Sequence, residues 1–134
     1  MSIDDLADNF NALDDWEDRY KYLIDLGNTL PPMDESLKTD AIKVRGCMSQ
    51  VWMLLSWDGE GKLKLLADSD AQIVRGLIAV LSAIFSGKTP AEAAGTDVEK
   101  AFQQLGLDQH LSPNRRNGFF SMVEAVRAFT SRRI

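Results

Sequence analysis

The stretch that decides the fold is residues 51–66, VWMLLSWDGEGKLKLL. Val51–Trp57 is an apolar run with a valine and two tryptophans, residue types that favour strands. Residues 62–66 alternate lysine and leucine before a second leucine, which is the period of a half-buried strand. Between them, residues 58–61 combine an aspartate, a glutamate and two glycines, a composition typical of a turn. The sequence therefore predicts a β-hairpin.

A further extended segment precedes this hairpin. Residues 41–44 are short and mostly apolar, and we expect them to form the first strand of a small three-stranded antiparallel sheet. Cys47 then lies on the connection between the first and second strands, directly after Gly46.

Two helices are predicted before the sheet. Apolar residues recur at helical spacing through residues 3–13 and again through residues 16–26, on either side of Asp14 and Asp15. Prolines at 31 and 32 stop the second helix, because proline disfavours helix in the residue before it and cannot donate a backbone hydrogen bond.

Beyond residue 68 the chain is predicted to be helical almost to its end. Capping-box spacing, a serine or threonine followed three residues later by glutamate or glutamine, predicts helix starts at Ser69, Thr89 and Thr96. Ser112 and Pro113 open the last helix. Helices on one side of a small antiparallel sheet make an α+β domain, and we expect residues 1–134 to form a single one.

Composition argues against several classes of function. The net charge of -5 disfavours nucleic acid as the main partner, because phosphate binding draws on clustered lysine and arginine. We find no stretch long and apolar enough to span a membrane, and the acidic N-terminus lacks the pattern of a signal peptide. A single cysteine cannot form an internal disulfide, so a reducing, cytoplasmic location is expected.

Cys47 is the best candidate for chemistry. It lies between a glycine and an apolar strand, with Lys43 and Arg45 close in sequence. A flexible loop can present the thiol to a partner, and nearby cations stabilise the thiolate, which is the nucleophilic form. On composition alone, a single cysteine is more often a small buried hydrophobe. The loop context favours the reactive role.

Other constellations are weaker. Cys47 and His110, the one cysteine and the one histidine, are too few ligands for zinc or an iron-sulfur cluster held by this chain alone. The same pair would allow a Cys-His hydrolase, but nothing in the sequence resembles an oxyanion hole. The carboxylates are scattered over predicted helix faces, where a solvated surface explains them.

Four segments together resemble the SufE-type sulfur-acceptor family, which includes the closely related CsdE. Each segment is weak alone, but their order and spacing are specific, and the resemblance runs over nearly the whole chain. The segments are DWEDRY at 15–20 with Leu26-Gly27, GCMSQVW at 46–52, DSDAQIVRGL at 68–77, and QHLSPNR at 109–115.

This resemblance implies the fold of the iron-sulfur scaffold IscU, with a single thiol in place of its several ligands. It implies that the protein accepts sulfane sulfur from the persulfide of a PLP-dependent cysteine desulfurase of the SufS or CsdA type. The acceptor would enhance desulfurase turnover and pass the sulfur to an iron-sulfur assembly scaffold such as SufBCD. No metal or cofactor is then required on this chain, which would be a sulfur-transfer accessory protein rather than an independent enzyme.

The resemblance also assigns site residues. Cys47 matches the persulfide acceptor. Five others match its loop, the surroundings of the thiol or the partner surface: Gly46, Ser49 and Gln50 in the loop, with Asp70 and Arg115 nearby. The competing hypothesis is an allosteric activator of a desulfurase that never carries sulfur, with Cys47 merely structural.

Overall fold

The computed structural model describes residues 2–46 and 49–133, and the predicted hairpin is present. β1 (Val51–Trp57) and β2 (Leu63–Ser69) pair antiparallel, with Leu54 opposite Leu66. β2 therefore extends three residues past its predicted end. In the turn, the Asp58 carboxylate accepts hydrogen bonds from the N–H groups of Lys62 and Glu60. These bonds stabilise the charged form and lower the pKa of Asp58.

The predicted first strand, residues 41–44, is wrong. Asp40–Ile42 forms a 3-10 turn, in which the N–H groups of Ile42 and Lys43 donate to the carbonyls of Thr39 and Asp40. Beyond this turn, Lys43 pairs with Trp52 in an isolated antiparallel bridge. Over residues 2–46 and 49–133, the sheet thus has two strands instead of three.

The described residues form seven α-helices around the hairpin, and none of these helices combines the length and the apolar character needed to cross a membrane. The two predicted N-terminal helices are confirmed, whereas the short α6 was not predicted. The helices are α1 (Ile3–Asn11), α2 (Trp16–Gly27), α3 (Gln72–Phe85), α4 (Pro90–Ala94), α5 (Val98–Gln104), α6 (Leu107–His110) and α7 (Pro113–Ser131).

Helix starts test the capping predictions. The box at Thr89 is confirmed, and Ser112 caps α7 as predicted. The box at Ser69 is wrong, because Ser69 ends β2 and α3 has Ala71 as its N-cap without a side-chain hydrogen bond. The cap of α5 is Asp97, one residue later than predicted, and its carboxylate accepts a backbone N–H of the first turn.

α3 is the central helix, and it packs against α2, β2 and α7. Its buried residues lie on several sides, which explains why its sequence is apolar nearly all round. α2 and α3 meet at Gly27 and Gly76, where a Cβ added at Gly76 would lie 2.7 Å from the carbonyl carbon of Leu23. The absence of a side chain at Gly76 therefore allows α2 and α3 to pack closely.

The hairpin buries one face against these helices. Val51 and Met53 of β1 and Ala67 of β2 are buried, whereas Leu54 is exposed on the other face. This alternation is the two-residue period of a strand with one face in the core.

Candidate functional site

The candidate site surrounds the segment that carries Cys47. Cys47 and Met48 lie outside the described residues, so the site is built from the residues that flank them, Gly46 on one side and Ser49 on the other. Each flank is tied to a different part of the fold.

Gly46 is fixed by its backbone conformation and by α7. Its φ angle is 87°, in the left-handed region that glycine adopts without a steric cost. A Cβ at this position would also lie 2.6 Å from Oγ of Ser121, in the middle of α7. The chain therefore turns while pressed against α7, directly before Cys47.

Gln50 is fixed by Asp70 on the other side of the segment. The Gln50 N–H donates to Oδ1 of Asp70 at 3.0 Å, and the Asp70 N–H donates to the Gln50 carbonyl at 3.3 Å. This reciprocal pair continues the β1–β2 register by one residue, with a carboxylate oxygen in place of a backbone carbonyl. Asp70 thus holds the start of β1, where the Cys47 segment joins the sheet.

A cavity of ≈ 440 Å³ opens beside Ser49, between the N-terminal halves of α3 and α7. Its polar rim is formed by Ser49, Ser112, Asn114 and Arg115. Its apolar walls are formed by Ala71, Ile73, Val74, Leu77, Phe119 and Met122, with Gly118 between them. The cavity therefore combines an apolar interior with a cation at its rim.

Arg115 is the cation at this rim. Its backbone N–H donates to Oγ of Ser112 at 3.3 Å, which places Arg115 in the first turn of α7. A cation there is disfavoured by the helix dipole, by about 0.3–1 kcal/mol. Arg116 differs, because its guanidinium lies 5.2 Å from the centre of the Phe120 ring and does not line the cavity.

An ion-pair network centred on Asp68 was not predicted from the sequence. Nζ of Lys38 lies 3.1 Å from Oδ2 of Asp68, and Nε of Arg75 lies 3.2 Å from Oδ1 without hydrogen-bond alignment. Lys38 also pairs with Glu35, at 2.9 Å, and lies 5.3 Å from the centre of the Trp52 ring. Hydrogen bonds to Glu35 and Asp68 raise the pKa of Lys38. The network ties the segment that leads toward Gly46 to the hairpin and to α3.

Ser121 was also missed. A signal for it exists in the sequence, because Gly118, Ser121 and Ala125 are small residues three and four positions apart. This spacing places them on one face of α7, where small side chains allow another backbone to approach closely.

His110 has a structural partner. Its ring stacks on Trp16 with the ring centres 3.9 Å apart, and its carbonyl accepts a hydrogen bond from the Tyr20 hydroxyl. His110 does not line the cavity beside Ser49. This geometry gives no support to the Cys-His hydrolase hypothesis. Among the described residues, no three histidine, cysteine or carboxylate side chains are grouped as metal ligands.

Fold and site together define a small α+β domain in which a cysteine-bearing segment is anchored on both sides, next to an apolar cavity. The family model "SufE: Fe-S metabolism associated domain" matches residues 4–130. The chain therefore belongs to the SufE family, which is associated with iron-sulfur metabolism. The resemblance inferred from the four sequence segments is confirmed.

Individual relatives also support membership of the SufE family. The chain is 45% identical over 130 residues to an uncharacterized SufE-like protein of Rhizobium meliloti (strain 1021), covering 95% of this chain and 93% of the relative. It is 45% identical over 129 residues to one of Rhizobium etli, covering 94% and 87%. A hypothetical protein from Thermus thermophilus, known from a solution structure, has the same fold. It has a TM-score of 0.78, 18% identity, and coverage of 98% and 97%.

Proposed function

We propose that this protein accepts sulfane sulfur from a cysteine desulfurase onto Cys47, raises desulfurase turnover and passes the sulfur to an iron-sulfur assembly scaffold. The observation that carries the proposal is the anchoring of the Cys47 segment at Gly46 and Gln50, beside a cavity with Arg115 at its rim. Membership of a family associated with iron-sulfur metabolism supports it. The desulfurase would bring PLP, and SufBCD is a candidate scaffold.

The transfer step is a thiol-disulfide type of exchange. The Cys47 thiolate attacks the terminal sulfur of the desulfurase persulfide, and a bond forms between the two sulfur atoms. The sulfur-sulfur bond within the desulfurase persulfide breaks, and its electron pair leaves with the desulfurase cysteine as thiolate. One proton and one sulfane sulfur end on Cys47, so the step needs no external oxidant or reductant.

The cavity beside Ser49 would shelter the product. A persulfide is more acidic than a thiol and is easily lost to other thiols or oxidants, so a carrier benefits from an apolar shelter between partners. The cavity has apolar walls on α3 and α7. A guanidinium at the rim would stabilise the persulfide anion. To expose the persulfide, a docking partner must then bind the open state of the protein more tightly than the sheltered state.

Mass spectrometry tests the proposal. The protein is incubated with a cysteine desulfurase and cysteine, alkylated, and analysed by peptide mapping. A carrier gains the mass of one sulfur atom at Cys47, and the gain disappears after treatment with a strong reductant. Faster desulfurase turnover without any gain at Cys47 would support the allosteric activator instead.

We expect Arg115→Ala to slow persulfide formation on Cys47 by about tenfold to a hundredfold, the loss typical when a charged hydrogen bond is removed. Thermal stability should change little, because a cation in the first turn of α7 contributes nothing favourable to the helix dipole. Single-turnover transfer followed by mass spectrometry measures the rate. Arg116→Ala is the matched control, since Arg116 packs on Phe120 away from the cavity. If both variants form the persulfide at the parental rate, Arg115 is not part of the site, which then consists of Cys47 and the residues that flank it.

We expect the Cys47 thiol to be alkylated slowly in the isolated protein and faster when a desulfurase is bound. The reason is the apolar cavity next to Ser49, which offers a shelter that docking would open. Rates with iodoacetamide, with and without a desulfurase whose own active-site cysteine is changed to serine, measure the difference. Equal rates would remove the sheltering step while leaving sulfur transfer itself standing.

A further inference from the structure

The outer edge of β1 is open beyond its first residues. Hydrogen bonds at both ends of the hairpin, between Asp70 and Gln50 and between Asp58 and Lys62, show that even-numbered residues of β1 bond to β2. The main-chain groups of odd-numbered residues therefore point to the opposite edge. At this edge, the Val51 carbonyl accepts a hydrogen bond from the Val44 N–H at 2.8 Å.

Farther along this edge, no main-chain group of residues 2–46 or 49–133 pairs with Leu55 or Trp57. The cause is the 3-10 turn at Asp40–Ile42, directly before Lys43, which keeps the preceding residues from pairing with β1 beyond the single bridge at Lys43. Leu55 and Trp57 each offer one N–H and one C=O to this edge. An unpaired strand edge is a template for the addition of another strand.

A groove of ≈ 260 Å³ runs beside this edge. Met53 and Leu55 form one side of it, and Ser121 and Ala125 of α7 line it. Because these two α7 residues are small, the groove has room for the side chains of an added strand. The site thus offers main-chain partners and side-chain space together, as strand-addition sites do.

The charges around the groove have one sign. Lys43 and Arg45 line it, and neither forms an ion pair with another residue in the part of the chain that the structure describes. At the far end of the edge, the Arg133 guanidinium lies 5.0 Å from the centre of the Trp57 ring. These cations stand out in a protein whose net charge is -5. They favour an acidic occupant.

We infer that the open edge of β1 at Leu55 and Trp57 is a docking site for an extended acidic segment of another protein, which adds to the hairpin as a third strand. Main-chain hydrogen bonds would give the affinity, and the three cations would select acidic side chains. The inference does not require that Cys47 carries sulfur.

The test uses two blocked hexapeptides, one alternating glutamate with valine and one alternating lysine with valine. The glutamate peptide should slow amide exchange at Leu55 and Trp57 and bind at least about tenfold more tightly than the lysine peptide. Equal binding of both peptides, or unchanged exchange at Leu55, would overturn the inference. Slower exchange at Leu55 that grows with protein concentration, without peptide, would mean that a second copy of the chain covers the edge and would equally overturn it.

Two sets of variants separate main chain from charge. Leu55→Pro removes the outward N–H without touching the bonds to β2 and should weaken glutamate-peptide binding by about tenfold or more, whereas Leu55→Ala retains the N–H and most of the binding. If Leu55→Pro does not fold, the double variant Lys43→Glu with Arg45→Glu decides. It should reverse the preference in favour of the lysine peptide, and an unchanged preference would overturn the inference.

Discussion

Cys47→Ser is expected to abolish stimulation of a cysteine desulfurase under mild reductant, so that turnover falls to the rate of the desulfurase alone. A serine hydroxyl cannot take up sulfane sulfur, and the chain has no second cysteine to replace the thiol. Release of alanine and sulfide measures turnover, and intact mass measures sulfur on the acceptor. The free energy of unfolding should change by less than about 0.5 kcal/mol if the residue is not part of the packed core.

The matched control is Met48→Ser, which introduces the same hydroxyl one residue later and keeps the thiol. We expect it to accept sulfur and to stimulate turnover. Full stimulation by Cys47→Ser would refute the carrier and establish the allosteric activator. Loss of stimulation in both variants would mean that the segment acts by its shape rather than by its thiol.

Local patterns predicted the elements whose hydrogen bonds are themselves local. The hairpin at residues 51–69 and the boxes or caps at Thr89 and Ser112 follow from turn residues and spacing. The strand predicted at residues 41–44 is wrong because Asp40–Ile42 makes local 3-10 hydrogen bonds, so that only Lys43 and Val44 reach β1. Composition alone did not distinguish a strand from a 3-10 turn at these residues.

The start of α3 shows where sequence spacing misleads. Ser69 and Gln72 have the spacing of a capping box, yet Ser69 completes β2 and Asp70 bonds to the distant Gln50. The cap of α5 moved by one residue because the carboxylate of Asp97 accepts the N–H bond instead of Thr96. A tertiary contact, the bond between Gln50 and Asp70, overrides the spacing at α3. At α5 a local bond from the Lys100 N–H to Asp97 sets the cap.

The candidate site was only partly accessible to sequence reasoning. The glycine before Cys47 and the family pattern singled out the segment around Cys47, but contacts across the fold could not be derived from spacing. The packing of Gly46 on Ser121 and the shared cavity of Ser49 and Arg115 join residues far apart in the chain. Such contacts depend on how the helices pack against one another, and this packing cannot be derived from the spacing of residues in one sequence.

Gly76→Ala is expected to lower the free energy of unfolding by about 2 kcal/mol, which corresponds to about 8 °C in melting temperature for a domain of this size. The added Cβ would overlap the Leu23 carbonyl, and Gly27 faces Gly76 with equally little space. Backbone atoms cannot rotate away, so α2 and α3 must separate. Overpacking costs about 3 kcal/mol at the upper end of its usual range, and the better helix propensity of alanine returns about 1 kcal/mol.

This change should also reach the site, because α3 carries one wall of the cavity beside Ser49 through Ile73, Val74 and Leu77. Gly95→Ala is the matched control, since Gly95 also lies at a helix with a negative φ, and its Cβ would be 3.6 Å from the nearest atom. Chemical denaturation of both variants gives the stability, and alkylation of Cys47 reports the cavity. Unchanged stability in Gly76→Ala would mean that α2 and α3 can move apart at little cost. Faster alkylation in Gly76→Ala alone would connect the helix crossing to the shelter of the thiol.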